Sequence, residues 1–234
     1  MPEKLKLLSW RDVVFIAIPS LLLILASFWV AARYIKPAPP ARMVIGTGSE
    51  GGAYQRFGAL YTDVLAKNGV ELIAKPSAGS PENLQRLRDR NVDVDAAFIQ
   101  GGTTLSKIDD DALVSLGELY YEPLWIFYRD GVLKEGAGLL DLKGKRLAIG
   151  QVGSGTQRLA MEMLSANGID AQNTPLMTES GFDVAARLQS GEIDAVFVVG
   201  PTQSALVWAL LYSPGVHLLD VTQAEAYTRQ FAYL

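Results

Sequence analysis

Two hydrophobic patterns divide the chain. The first is continuous: Val13–Ala32 reads VVFIAIPSLLLILASFWVAA, twenty residues without a charge. At ~1.5 Å rise per residue this run makes a helix of ~30 Å, the thickness of a bilayer's hydrocarbon core. Pro19 falls in its second turn, where a lost hydrogen bond is tolerated in lipid. Trp29 and Tyr34 stand near its far end, as interfacial aromatics do. The pattern predicts a transmembrane anchor over 13–34 behind a short tail, 1–12, so that residues 13–32 meet the lipid bilayer. A cleaved signal peptide is the alternative, with Val30-Ala31-Ala32 as its cleavage site, but signal-peptide apolar regions run only ~7–15 residues. Flanking charge does not orient the helix, because Lys4, Lys6 and Arg11 precede it while Arg33, Lys36 and Arg42 follow. An inside N-terminus is expected, since a short tail precedes a large domain. Residues 35–41 form a linker ending in PAPPA, whose ~15 Å reach keeps the domain close to the membrane.

The second pattern is interrupted, and it repeats. Arg42-Met43-Val44-Ile45-Gly46 is a short apolar strand running into GTGSEGGAYQRFG, and Arg146-Leu147-Ala148-Ile149-Gly150 runs into GQVGSGTQRLA. Each loop enters a helix with Gln-Arg near its start, Gln55-Arg56 and Gln157-Arg158. Each helix stops at Asn-Gly, Asn68-Gly69 and Asn167-Gly168. A further match follows: Ser80-Pro81-Glu82-Asn83 opens a helix ahead of a strand ending at Ile99, and Ser180–Asp183 opens one ahead of a strand ending at Val198. Asp95 lies 49 residues after Gly46, and Asp194 lies 44 after Gly150. Two such β-α-β-α-β units imply two alike α/β lobes with largely parallel sheets, lobe 1 over 42–128 and lobe 2 over 129–220. Between the units, 114–131 is rich in strand-forming aromatics and reads as the crossover. Its Tyr120, Tyr121, Trp125 and Tyr128 either line a cleft or pack the hinge. Residues 221–234 read as the start of a return to lobe 1, so the fold is expected to be incomplete at its C-terminal end.

In open α/β sheets, ligands sit at the carboxyl ends of the strands. Both glycine loops lie there, each at a helix N-terminus whose free N–H groups and positive end receive carboxylate or phosphate. The candidates are Gly46, Thr47, Gly48, Ser49, Gly52, Tyr54, Ser80, Asn83 and Gln100 from lobe 1. Lobe 2 adds Ser154, Gly155, Thr156 and, as a further candidate, Gln203. Plainer roles compete at each position: Ser80 as a helix N-cap, Gln100 as a strand end.

Composition removes other chemistry. Net charge is −4 with 20% charged residues, so no basic footprint for nucleic acid exists. There is no cysteine, which excludes disulfides, thiolate nucleophiles and Cys metal sites, and His217 is the only histidine. No paired carboxylates, triad or metal spacing stands out, and Asp109-Asp110-Asp111 reads as a solvated turn and helix start. The chain is therefore expected to be no enzyme and to use no cofactor.

The stretches IGTGSEGGAYQRFG, SAGSPENLQRLRDRNVDVDAAFIQGG and VGSGT resemble the TAXI-type solute receptors of TRAP transporters, a class of type II periplasmic binding proteins, over roughly residues 42–220. The resemblance implies a hinged pair of lobes. It also implies that the glycine loop, Gly79-Ser80-x-x-Asn83 and Gln100 border a small anionic ligand, an amino acid or dicarboxylate. By the same resemblance the receptor passes its ligand to an ion-driven, TRAP-type membrane permease. The expected location is a bacterial inner membrane, with the domain facing the periplasm or cell exterior. Two other readings stay open. Gly46-x-Gly48-x-x-Gly51 matches a dinucleotide fingerprint, although the strand it requires next ends in Lys75 rather than an acid. An anchored sensor would capture a ligand without handing it on.

Overall fold

A computed structural model describes residues 10–34, 41–103 and 113–231. The chain divides into two compact units, residues 1–40 and residues 41–234. The expected linker, apart from Ala41, lies outside the described residues, as do Asp109–Asp111.

The described residues of the first unit form one helix, α1 (Trp10–Tyr34), which starts three residues ahead of the apolar run and carries Pro19 inside it. Ser27 Oγ turns back onto the Leu23 carbonyl at 2.8 Å, so its hydroxyl is satisfied within the helix. The apolar side chains of Leu21, Leu22, Leu23 and Phe28 are exposed. Among the described residues this is the one helix long and apolar enough to cross a membrane.

The second unit holds both repeats. In the first, β1 (Arg42–Gly46) lies between β2 (Glu71–Lys75) and β3 (Ala96–Ala97), all parallel. Helices α2 (Ala53–Ala66) and α3 (Ser80–Arg88) connect them. Val44, Leu72, Leu84 and Phe98 form the buried apolar centre. The second repeat places β5 (Leu147–Ala148) between β6 (Leu176–Met177) and β7 (Ala195–Val199), again parallel. Helices α4 (Gly155–Ala166) and α5 (Asp183–Ser190) connect these. The two halves thus share one strand order, with the first strand in the middle.

One aspartate does the same work in each half. Asp95 donates its N–H to the Val44 carbonyl at 2.9 Å and accepts the Val44 N–H on Oδ2 at 2.8 Å. Asp194 repeats this with Arg146, at 2.8 and 2.9 Å. The register differs, because Ala96 faces Ile45 while Ala195 faces Leu147, two positions further from the glycine loop. An even slip keeps every side chain on its face of the sheet, so the core pattern survives it.

The crossover enters the second sheet earlier than the boundary at 128 implies. Strand β4 (Leu124–Arg129) pairs antiparallel with β7 and with β8 (Val216–Leu218), giving the order β6-β5-β7-β4-β8. Its Ile126 and Phe127 are buried on opposite faces of that sheet, each in its own apolar cluster, which fixes its place there. Residues 221–231, read as returning to lobe 1, lie against lobe 2. Helix α7 (Ala224–Gln230) buries Tyr227 in the lobe 2 core, and the Tyr227 hydroxyl donates to Asn167 Oδ1 at 2.9 Å. Helix α6 (Ala205–Leu211) covers the other face through Val207 and Leu210.

Candidate functional site

A cleft of about 500 Å³, open to solvent, lies where three helices begin. Gly48, Ser49, Gly52, Ala53 and Tyr54 line it from the start of α2. Ala78, Gly79 and Ser80 line it from the start of α3, and Ser154, Gly155 and Thr156 from the start of α4. Gln100, Glu122 and Val199 complete the wall. A helix N-terminus carries roughly half a positive charge on N–H groups that have no intrahelical acceptor. Three of them around one cleft offer hydrogen-bond donors to an acidic group without a single Lys or Arg in the lining.

The duplicated Gln-Arg pairs explain how both loops hold their shape. Gln55 Oε1 accepts the Gly51 N–H at 2.7 Å, and Gln157 Oε1 accepts the Gly153 N–H at 2.9 Å. Each glutamine thus anchors the residue four positions before it. Ser154 is the N-cap of α4 and accepts the Gln157 N–H. Gly52 and Gly79 cap α2 and α3 without a side chain of their own, and at α3 the Glu82 carboxylate and Ser77 hydroxyl accept the Ala78 and Gly79 N–H groups.

Nine of the thirteen candidate residues read from sequence come together in this wall: Gly48, Ser49, Gly52, Tyr54, Ser80, Gln100, Ser154, Gly155 and Thr156. Gly46, Thr47 and Asn83 lie beneath it instead. Thr47 and Asn83 are fully buried. Asn83 Nδ2 donates to the Thr47 and Phe98 carbonyls at 2.6 and 2.9 Å, joining the ends of β1 and β3 to α3. A Cβ on Gly46 would stand 2.7 Å from Asn83 Oδ1, so glycine is needed for that close approach. Ser80 is the first residue of its helix, and its Oγ accepts the Gln100 N–H at 2.7 Å. Gln203 is exposed and outside the wall.

The lobes meet across the cleft. Gln100, beyond the end of β3, lays its side chain against Gly155, where a Cβ would collide with Oε1. Gly79 adopts φ 134°, and a Cβ there would be 3.5 Å from Ser154 Cα and from the Gly155 nitrogen.

Glu122 was not legible from sequence. Its Oε2 accepts from the Tyr54 hydroxyl at 2.7 Å, and its Oε1 accepts from Tyr120 at 3.4 Å. Burial raises the Glu122 carboxyl above the usual range, and the two phenol hydrogen bonds pull it back in part. Tyr54 and Tyr120 are pushed well above the ordinary phenol value, first by burial and then by the Glu122 charge. Both phenols therefore stay protonated and act as donors. Of the crossover aromatics, Tyr120 stacks on Phe57 at 4.6 Å behind the wall, and Trp125 Nε1 donates to the Gly200 carbonyl. Tyr128 packs by His217, and Tyr121 is exposed.

Solved structures with the same fold bind small ligands. The periplasmic aliphatic sulphonate binding protein SsuA from Escherichia coli is 20% identical, with a TM-score of 0.50 over 82% of this chain and 64% of that one. The chain thus spans less than two thirds of that protein's length. The CcmR regulatory domain of Synechocystis PCC6803, solved in complex with 2-PG, is 15% identical, with a TM-score of 0.52 over 78% of this chain and 81% of that one. An ancestral arginine-binding protein bound to arginine is 20% identical, with a TM-score of 0.50 over 77% and 79%. The likeness extends to the two-lobed, periplasmic-binding-protein-like architecture. Residues 45–233, which include the cleft and all but the first three residues of the repeats, match the model of the NMT1-like family, and the chain belongs to that family.

Proposed function

We propose that this protein is a membrane-anchored, extracytoplasmic solute-binding protein that captures a small carboxylated solute between its lobes and delivers it to a TRAP-type permease. The observation that carries the reading is the convergence of the α2, α3 and α4 N-termini, from both lobes, on one cleft. A ligand carboxylate takes the uncovered N–H groups there, while Ser49, Ser154, Thr156 and Gln100 orient it. Closing the lobes over it excludes water and strengthens those bonds. The resemblance to TAXI-type receptors supports the carboxylated ligand and the permease partner. The apolar helix α1 supports an anchor in the bacterial inner membrane, with the domain on its outer side.

The test is thermal unfolding of the full chain in detergent against glutamate, glutamine, C4-dicarboxylates, keto acids, phosphate, NAD and NADP. A solute at 100 times its dissociation constant stabilises the fold by ~2.7 kcal/mol. A rise with a carboxylated solute that falls to about half on Gln100→Ala at the same solute concentration supports the proposal. A rise with NAD or NADP alone overturns it in favour of a dinucleotide enzyme.

A further inference from the structure

Among the residues lining the cleft, Glu122 alone carries a formal charge, and that charge is negative. Arg158 lines a neighbouring hollow with Gln100 and Gly155 and donates to Glu162 Oε1 at 3.0 Å. A site serving a bare anion would gain nothing from a carboxylate in its wall, because like charges repel strongly where water is excluded. The three helix starts suit a ligand's acidic group; Glu122 suits something else.

The hydrogen-bond inventory points the same way. An ionised carboxylate offers about four acceptor positions. Tyr54 takes one on Oε2, and Tyr120 takes one, long at 3.4 Å, on Oε1. Both donors are held from behind: Tyr54 stacks on Phe98 at 5.4 Å, and Tyr120 on Phe57. The carboxylate is thus fixed in the cleft wall with acceptor capacity remaining, and no basic side chain lines the wall to use it.

Resting on the reading of this cleft as the ligand site, we infer that Glu122 is a specificity-determining residue that binds a positively charged nitrogen on the ligand. The solute then carries an ammonium group as well as its acidic group, the acid seated on the helix N-termini and the ammonium on Glu122. Closure neutralises the buried carboxylate, so Glu122 favours zwitterions over dicarboxylates and other bare anions of equal size.

The experiment compares matched pairs differing only in the amino group: L-glutamate with glutarate, L-alanine with propanoate, L-leucine with 4-methylpentanoate, and taurine with ethanesulfonate. Each is titrated calorimetrically into the full chain in detergent, wild type and Glu122→Gln. The amino member of at least one pair is expected to bind roughly tenfold or more tightly than its deaminated partner. In Glu122→Gln that preference should fall to about twofold or less. The wild-type comparison does not depend on the variant folding, and the variant's unfolding temperature reports whether it folds. Equal or tighter binding of the deaminated members by wild type overturns the role of Glu122 and leaves the receptor reading standing. An amino preference unchanged in a folded Glu122→Gln does the same. No binding by either member of any pair also overturns the role of Glu122, and the receptor reading then stands or falls on the wider solute panel.

Discussion

The Tyr54 hydroxyl donates a 2.7 Å hydrogen bond to Oε2 of Glu122, linking the first turn of α2 in one lobe to the segment that enters β4 in the other. The two residues are 68 positions apart in sequence. Tyr54→Phe removes the donor and keeps the ring, so packing on Phe98 survives while a partly buried carboxylate loses its shorter bond. The expected cost is about 1–3 kcal/mol, a fall of several degrees in Tm. That bond lowers the Glu122 carboxyl against the upward push of burial. The Glu122 titration, followed by side-chain NMR, should therefore move further upward in the variant.

Asn83 and Gln100 were both candidates for ligand contact, and the structure separates their consequences. Asn83→Ala strands the Phe98 carbonyl in the lobe 1 core and leaves the Thr47 carbonyl with the Ser77 hydroxyl alone. It should cost about 2–3 kcal/mol of stability in a denaturant titration. Gln100→Ala removes a half-buried side chain from the cleft wall and should change stability by only about 0.5 kcal/mol. Its effect should fall instead on solute affinity, by roughly tenfold. A Gln100→Ala protein with full affinity would remove that side chain from the account.

Asp194 is held by Arg146, through side chain and backbone, and by Arg129. Burial alone would raise its carboxyl, but these bonds win and hold it well below the usual range. A carboxylate with a depressed folded value stabilises the protein above its unfolded value, ~3.9, and loses that contribution as pH falls from there. Asp194→Asn should therefore cost about 3 kcal/mol at pH 7, with a gap to wild type that narrows below about pH 4. Urea titrations of both proteins across pH 3–7 check the sign. A constant gap across that range would contradict it.

The duplication was legible because strand, glycine loop and helix recur with the same local chemistry, and the topology repeats it as one strand order in both lobes. Gln55-Arg56 and Gln157-Arg158 were visible as a repeat, but their work of holding Gly51 and Gly153 appears only once the loops are folded. Thr47 and Asn83 looked like cleft residues because a polar residue beside a glycine loop does not announce which way it points. Three-dimensional placement sends both into the floor, where backbone carbonyls need them. Glu122 could not be singled out. It stands in a segment without helical or strand periodicity, and its importance comes from Tyr54, a long-range partner. The place of β4 was obscured for a similar reason: its aromatics suit either lobe, and only pairing with β7 and β8 decides.

The most direct test of the central claim is amide hydrogen exchange of the full chain in detergent, with and without whichever panel solute raises its Tm. Closure of both lobes on one ligand predicts slowed exchange together in 48–55, 78–83 and 153–157, the three helix starts that line the cleft. Protection confined to one lobe, or lying outside these three stretches, would contradict the account.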